Sequence, residues 1–240
     1  MKPDTFYGIE VEADYGHFRK SFTTSSPLTH GVPPRTTVAG FLGAILGLPR
    51  GGDKNYHNVF SKNNSGIAVV NKPKKSTQKQ TINLNLLKVK GETEKLVKLE
   101  KPPKEIIRSQ VPFEVIKNPR YRIYFNSSEL DGIKSFLEEE KSVFTPCLGI
   151  SEYIADYRFL GKFDVEENEG EAVIRSIVPN KVNTIFEKNK RYIKENFSMF
   201  MNQEREVTEF GEVIYEENGK GIKIDGRYLT VNNENVMVLE

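Results

Sequence analysis

Arg35 stands at a corner, Pro33-Pro34-Arg35-Thr36-Thr37, directly before an apolar, glycine-spaced run from Val38 to Leu48. The prolines hold the chain extended and the run after them reads as a helix, so the arginine marks a helix N-terminus. Unpaired N–H groups of a first helical turn, with the positive end of the helix dipole, favour an anion there. Thr36 or Thr37 is expected to cap the helix through its hydroxyl. The Arg35 guanidinium is then placed to grip the same phosphate with two parallel hydrogen bonds. The competing role is a brace, with Arg35 bonded to a carboxylate or carbonyl of the fold itself. Gly40, Gly43 and Gly47 share one helix face, and tight packing offsets the roughly 1 kcal/mol that each costs against alanine.

Other cations gather on either side of this corner. Phe18, Arg19 and Lys20 set a ring beside two charges, a combination that stacks a base and neutralises its phosphate. Alternation in extended chain points Phe18 away from Arg19, which suits Phe18 to the core and leaves Arg19 and Lys20 as the candidates. Lys72, Lys74, Lys75 and Lys79 crowd one turn-rich loop, and Arg108, Arg120 and Arg122 continue the series. The net charge of +2 hides this segregation: residues 50–122 hold 17 Lys and Arg against 6 Asp and Glu, and the rest hold 18 against 27. A basic module in an acidic body is the footprint of a polyanion partner. The plainer alternative is a solvated lysine-rich insertion.

Catalytic chemistry is harder to assemble. Metal-free RNA cleavage needs a base, an acid and a cation for the phosphorane. The three histidines, His17, His30 and His57, lack metal-ligand spacing. Lys54, Tyr56 and His57 supply the right residue types without a recognisable motif, so no catalytic residue is assigned. The single cysteine, Cys147, excludes an intrachain disulfide or a cysteine-rich metal cluster and points to a reducing cytosol. No cofactor or metal is expected.

The elements that must position these residues follow from periodicity. Thr5 to Ala13 alternates as a strand, Asp14 to Pro34 is irregular, and the glycine-spaced helix ends at Pro49. His57 to Phe60 suits a short helical turn. Strands are expected at Gly66 to Val70, Ile82 to Val89 and Arg120 to Phe125, with a helix capped by Ser127 and running to about Glu140. Further on, a strand at Ala172 to Val178 and a charged helix from about Thr184 to Met201 are expected. Strands at Glu212 to Glu216 and within Arg227 to Leu239 close the chain. The chain length of 240 residues supports a sizeable core. No apolar run approaches the roughly 20 residues that span a bilayer, and the first residues lack a signal-peptide pattern.

The runs FRKSFTTSSPLT, VPPRTTVAGFLGAILGL and, from Thr145 to Phe159, TPCLGISEYIADYRF resemble the CRISPR-associated family-five proteins, and most of all their type I-B variant. The resemblance implies an α+β fold with a ferredoxin-like or RRM-like RAMP core. The order of elements, β-α-β, basic insertion, β-α-β, points to the same core and makes the insertion at about 51–108 a long basic β-hairpin, the thumb, within a first domain of residues 1–163, with a smaller β-rich extension at 164–240. The resemblance also implies a non-catalytic, cytoplasmic subunit of a type I Cascade complex that caps the 5′ handle of the guide RNA. Its partners would be the repeating backbone subunit and the large subunit, with target DNA reached through the complex. Gly149 and Ser151 join the candidate RNA-binding residues on that resemblance. A metal-independent endoribonuclease that matures the guide, as in the type I-C branch, is the alternative. A protein-interaction module docking its basic insertion on an acidic partner is another.

Overall fold

The computed structural model describes residues 5–239 apart from 24, 53, 75, 90–105, 131 and 132. Lys75, one of the candidate lysines, lies outside the described residues. Strand β1 (Thr5–Ala13) is buried on both faces over most of its length, as the middle strand of a covered sheet must be. It is followed by the two-residue β2 (Tyr15–Gly16), helices α1 (Arg35–Leu46) and α2 (Tyr56–Val59), and strand β3 (Ser65–Asn71). A hairpin of β4 (Gln78–Val89) and β5 (Ile106–Lys117) comes next, then β6 (Arg120–Ser127), the short α3 (Lys134–Glu138) and the long β7 (Ala155–Ile174). The chain closes with β8 (Val178–Pro179), β9 (Asn183–Ile185), β10 (Tyr192–Met201), β11 (Val207–Glu216), β12 (Ile222–Val231) and β13 (Glu234–Val236).

The main sheet runs β13-β12-β7-β1-β6-β3, with β9 also paired to β12, and every pairing is antiparallel. On its inner face Ile9, Val11, Ile67, Ile123 and Phe125 pack with Val38, Phe41, Leu42 and Ile45 of α1. On the outer face Phe6, Ala68, Val70 and Tyr124 pack with Val231 and Val236. Two smaller sheets, β10-β11-β8 and β2-β5-β4, flank it. The expected boundary at 163/164 falls inside β7, which pairs with β1 over its first half and with β12 over its second. Both parts of the chain therefore share one sheet.

Several expectations change. Helix α1 begins at Arg35 behind an extended Pro34, with no side-chain cap, so neither Thr36 nor Thr37 caps it. The helix stops when Gly47 turns left-handed at φ 71° and donates its N–H to Gly43 O. Gly43 itself faces α2, where an added Cβ would lie 2.8 Å from the Tyr56 Cβ. Ser127 ends β6 rather than capping a helix, and its hydroxyl donates to Val59 O. The expected helix from Thr184 to Met201 is strand: Glu195, Phe197 and Met199 are buried on alternate residues of β10. The segment's charged composition goes with the expected helix, but the period of two in its buried residues decides the element.

The hairpin also differs from the expected insertion at 51–108. Residues of α2 and β3 belong to the body, and β4 pairs with β5 in register from Gln78↔Lys117 to Val89↔Ile106. Among the described residues a third strand joins it only at its base, through Tyr15↔Lys117 and Gly16↔Ile116. Directly opposed residues share a face. One face of the stem therefore carries half-buried Ile82, Leu84, Val111 and Phe113, and the other carries Thr81, Asn83, Asn85 and Gln110. Those stem residues carry apolar, hydroxyl and amide groups, and the basic Lys79 and Lys117 stand at the foot of the hairpin.

Candidate nucleic-acid interface

The foot of the hairpin runs directly into β6, so Arg120 and Arg122 emerge on the outer face of the main sheet. They lie opposite Glu12 and Glu10 of β1, and Glu10 is also opposite Arg158 of β7. Glu10 collects all three arginines, at 2.7 Å from Arg120 Nη2, 3.4 Å from Arg122 Nη2 and 3.1 Å from Arg158 Nη2. Burial would raise the Glu10 carboxyl, but the Arg120 and Arg122 charges and hydrogen bonds outweigh it and hold the group ionised below its usual range. Arg122 Nη1 also meets Glu234 at 2.9 Å, which in turn takes Lys72 Nζ at 3.0 Å and the Tyr124 hydroxyl at 2.9 Å. The Nε–H groups of Arg120 and Arg122 are buried and make no hydrogen bond among the described residues. Arg158 differs from its neighbours, since its side chain is 64% exposed.

On the other side of the hairpin foot lies the loop of residues 17–31. Glu114 of β5 holds it: the Thr29 N–H donates to Glu114 Oε2 at 2.8 Å, and the Glu114 N–H donates to Pro27 O at 3.0 Å. Lys79 Nζ donates to Thr29 O at 2.6 Å and lies 3.6 Å from the Glu114 carboxylate. His17 stacks on Phe113 with ring centroids 4.1 Å apart and bonds Glu114 O through Nδ1, and burial pulls its pKa down. Lys20 Nζ lies 2.6 Å from Glu195 Oε1 of β10. Arg19 is exposed and its Nε and Nη2 groups both donate to Thr23 O.

The structure therefore brings Arg19, Lys20, Lys79, Arg120, Arg122 and Lys72 around the base of one hairpin. Lys74 is exposed in the β3–β4 connection, and Arg108 sits along β5 opposite Leu87. Lys72 and Lys79 are not the solvated cluster that their spacing suggests, because Glu234 and Glu114 approach from distant parts of the chain. Arg158 was not among the sequence candidates. The signal for it lies in Asp156-Tyr157-Arg158, where Tyr157 is buried between exposed charges, the alternation of a half-buried strand.

Arg35 is a correction. Its side chain is essentially buried, at 1% exposure. Its Nε–H donates to Leu239 O at 2.9 Å, Nη1 to Phe60 O at 2.7 Å and Nη2 to Ser65 Oγ at 2.9 Å, and the guanidinium lies 4.1 Å from the centre of the Phe200 ring. A guanidinium spent on these internal acceptors does not present its fork to a phosphate, so Arg35 is the brace. Thr36 likewise points inward, with its hydroxyl 2.7 Å from Ser198 Oγ, and Thr37 is half-buried beside it on α1. Phe18, at 2% exposure, packs against Tyr121 in the core.

Gly149 is fixed by its backbone. At φ 99° an added Cβ would fall 1.7 Å from His17 O, so this glycine lets the 145–154 turn close on the loop behind it. Ser151 is exposed and its hydroxyl donates to Glu152. His57 stacks on Tyr56 at 3.9 Å, burial lowers its pKa, and its buried Nε2 makes no hydrogen bond among the described residues.

At the opposite end of the main sheet, a groove of about 1090 Å³ is lined by Lys62, Lys162, Lys181, Arg227 and several asparagines. Its cations are partly matched by acids, as Lys62 meets Glu209 at 3.0 Å and Arg227 meets Glu169 at 3.6 Å. No helix among the described residues is long and apolar enough to cross a membrane.

No curated protein matches the sequence. Among solved structures, a CRISPR protein from Archaeoglobus fulgidus superposes with a TM-score of 0.57 at 14% identity, over 98% of this chain and 100% of that chain. A chain of a CRISPR RNA-guided surveillance complex gives 0.43 at 11% identity, over 97% of this chain and 91% of that one. A chain of the type III-B Cmr-beta complex bound to cognate target RNA and AMPPnP gives 0.49 at 11% identity, over 91% and 86%. The first of these likenesses is one of fold. A family model described as CRISPR-associated protein (Cas_Cas5) matches residues 6–213, and on that match the chain belongs to the Cas5 family of CRISPR-associated proteins.

Proposed function

We propose that this chain is a non-catalytic RNA-binding subunit of a CRISPR effector complex, holding the 5′ handle of the guide RNA at the foot of the β4–β5 hairpin. The observation that carries the reading is the cationic surface there. Arg158, Arg120 and Arg122 converge on one carboxylate, Lys79 stands at the start of β4, and Lys20 and Arg19 follow on the adjoining loop. An exposed arginine already ordered beside a sheet face exchanges its surface contact for a phosphate without a large ordering cost. Amide groups on one face of the stem suit base edges and 2′-hydroxyls, which single-stranded RNA displays when its bases are splayed.

In this reading β1, β3, β6 and β7 with their helices form the ferredoxin-like, RRM-like unit, and the hairpin is the thumb. The type I-B assignment, cytoplasmic location and Cascade backbone and large-subunit partners, with target DNA reached through them, belong to the same proposal. The test is binding of repeat-derived single-stranded RNA to the purified chain across a salt series. The expected slope of log K against log salt is about −0.7 per phosphate neutralised; a flat profile rejects the interface. The ribonuclease alternative is favoured by one observation, the His57 ring stacked on Tyr56 with its Nε2 making no hydrogen bond among the described residues. Incubation with repeat RNA in EDTA separates the two: the binder leaves the RNA intact.

A further inference from the structure

We infer that Phe22 is a base-stacking residue of this interface, a platform for one unpaired nucleobase of single-stranded RNA. The inference rests on the RNA-binding reading above and adds a contact that neither sequence pattern nor family membership assigns. Phe22 is 75% exposed, more than any other large apolar side chain among the described residues.

That exposure belongs to a firmly held turn. The Thr23 N–H and hydroxyl both donate to Lys20 O, at 3.2 and 2.8 Å. Arg19 donates twice to Thr23 O, at 3.2 and 2.8 Å, and the Lys20 N–H donates to Leu28 O at 2.9 Å. Glu195 anchors the turn from below through Lys20, and Glu114 anchors the far end of the loop through Thr29. A phenyl ring displayed on such a support leaves its burial free energy unrealised until a second surface covers it.

The surroundings favour a base over a protein surface. The exposed residues of the same loop are mostly hydroxyl-bearing, Ser21, Ser25 and Ser26, with Leu28 at 41% exposure beside them, whereas protein hot spots sit in a wider apolar patch. Arg19 is exposed three residues before the ring on the same turn, which is the pairing of aromatic face and backbone-neutralising cation that binds single strands without strong sequence preference. Phe18, the ring that the local sequence offers first, is in the core; Phe22 is the one that faces outward.

The chain contains no tryptophan, so Phe22→Trp installs a single indole reporter at the site. Titration of the full chain with repeat-derived single-stranded RNA should quench that indole while keeping wild-type affinity. Phe22→Ala should weaken binding roughly 10- to 100-fold, the range of one lost base–aromatic stack. The salt slope and melting temperature should be unchanged, and an RNA abasic at the stacked position should erase the difference between wild type and Phe22→Ala. If wild type binds and Phe22→Ala binds equally well without quenching of the Trp variant, the stacking assignment is overturned and the interface stands. If Phe22→Ala binds RNA normally but fails to enter the assembled effector complex, the ring docks a protein and the assignment is again overturned. Wild-type chain that binds no RNA overturns both readings together.

Discussion

Lys20 Nζ and Glu195 Oε1 lie 2.6 Å apart, and this ion pair fastens the loop that carries Phe22 to the buried face of β10. Glu195 does more than hold one lysine. His30 Nδ1 lies 3.2 Å from Oε2, the Tyr215 hydroxyl donates to the same oxygen at 3.2 Å, and the Gly31 N–H donates at 3.4 Å. One carboxylate thus closes both ends of the loop against the second sheet.

Acid should release that fastening. Burial raises the Glu195 carboxyl, but the hydrogen bonds and charges of His30 and Lys20 outweigh it and hold it at about 2, below the ordinary value of 4.5. A folded-state pKa below the unfolded one means stability that is complete above about pH 4.5 and lost as pH falls toward about 2. The difference corresponds to roughly 2–4 kcal/mol. Glu195→Gln should therefore lower the melting temperature near neutrality and flatten its dependence on pH across that window. Parallel melting curves for mutant and wild type from pH 5 to 2 would remove Glu195 from this role.

Gly149→Ala tests the closure of the 145–154 turn. The added methyl would collide with His17 O at 1.7 Å, in a left-handed conformation that alanine disfavours. Relief requires moving backbone, so a loss of roughly 2–4 kcal/mol is expected, the range of strain at a special backbone position. Urea denaturation measures it, and a neutral result would show that the turn is free to move.

Strands β1, β3 and β6 of the central sheet were legible in the sequence because their apolar residues obey one period, whereas of the long β7 only its last residues fell in an expected strand. RYRIYF alternates Tyr121, Ile123 and Phe125 inward with Arg120, Arg122 and Tyr124 outward, so the cations of β6 could be read as a surface set. Strand β10 was not legible, because one of its inward residues is the charged Glu195 and its partners come from Lys20, His30 and Tyr215. Arg35 failed for a related reason. Its acceptors lie at Phe60, Ser65 and Leu239, and local spacing at a helix start carries no trace of them. A charge is assigned to surface or core by contacts that only the folded chain brings together.

Arg35→Ala should accordingly act on the fold. Internal acceptors on Leu239, Phe60 and Ser65 would lose their donor in a buried site, and breaking such a buried charged network costs roughly 3–5 kcal/mol. Arg35→Lys should recover little, because one ammonium cannot reach acceptors arranged around a planar fork. The readout is denaturant stability beside RNA affinity measured on the folded fraction. Unchanged stability with lost affinity would return Arg35 to the phosphate.

Arg158→Ala and Arg122→Ala should separate binding from folding within a single cluster. Arg158 is 64% exposed and contributes one of three arginines to Glu10, so its removal leaves that carboxylate paired. An exposed ion pair is worth about 0–1 kcal/mol, and stability should change by no more than that. RNA affinity should fall several-fold, with the salt slope shallower by about 0.7 for the lost phosphate contact. Arg122 instead links Glu10 to Glu234, two carboxylates whose side chains are only 10% and 14% exposed. Both carboxyls are held below their usual range, against the upward pull of burial, by Arg122 together with Arg120 at Glu10 and with Lys72 and Tyr124 at Glu234. Arg122→Ala should destabilise the sheet at neutral pH and do so less at acid pH, where the two carboxylates take up protons. Thermal melts and salt-dependent RNA titrations on both variants decide the matter. If Arg158→Ala keeps full affinity and an unchanged salt slope, the arginine cluster serves the fold alone and the RNA contacts of this face must come from the hairpin and the Phe22 loop.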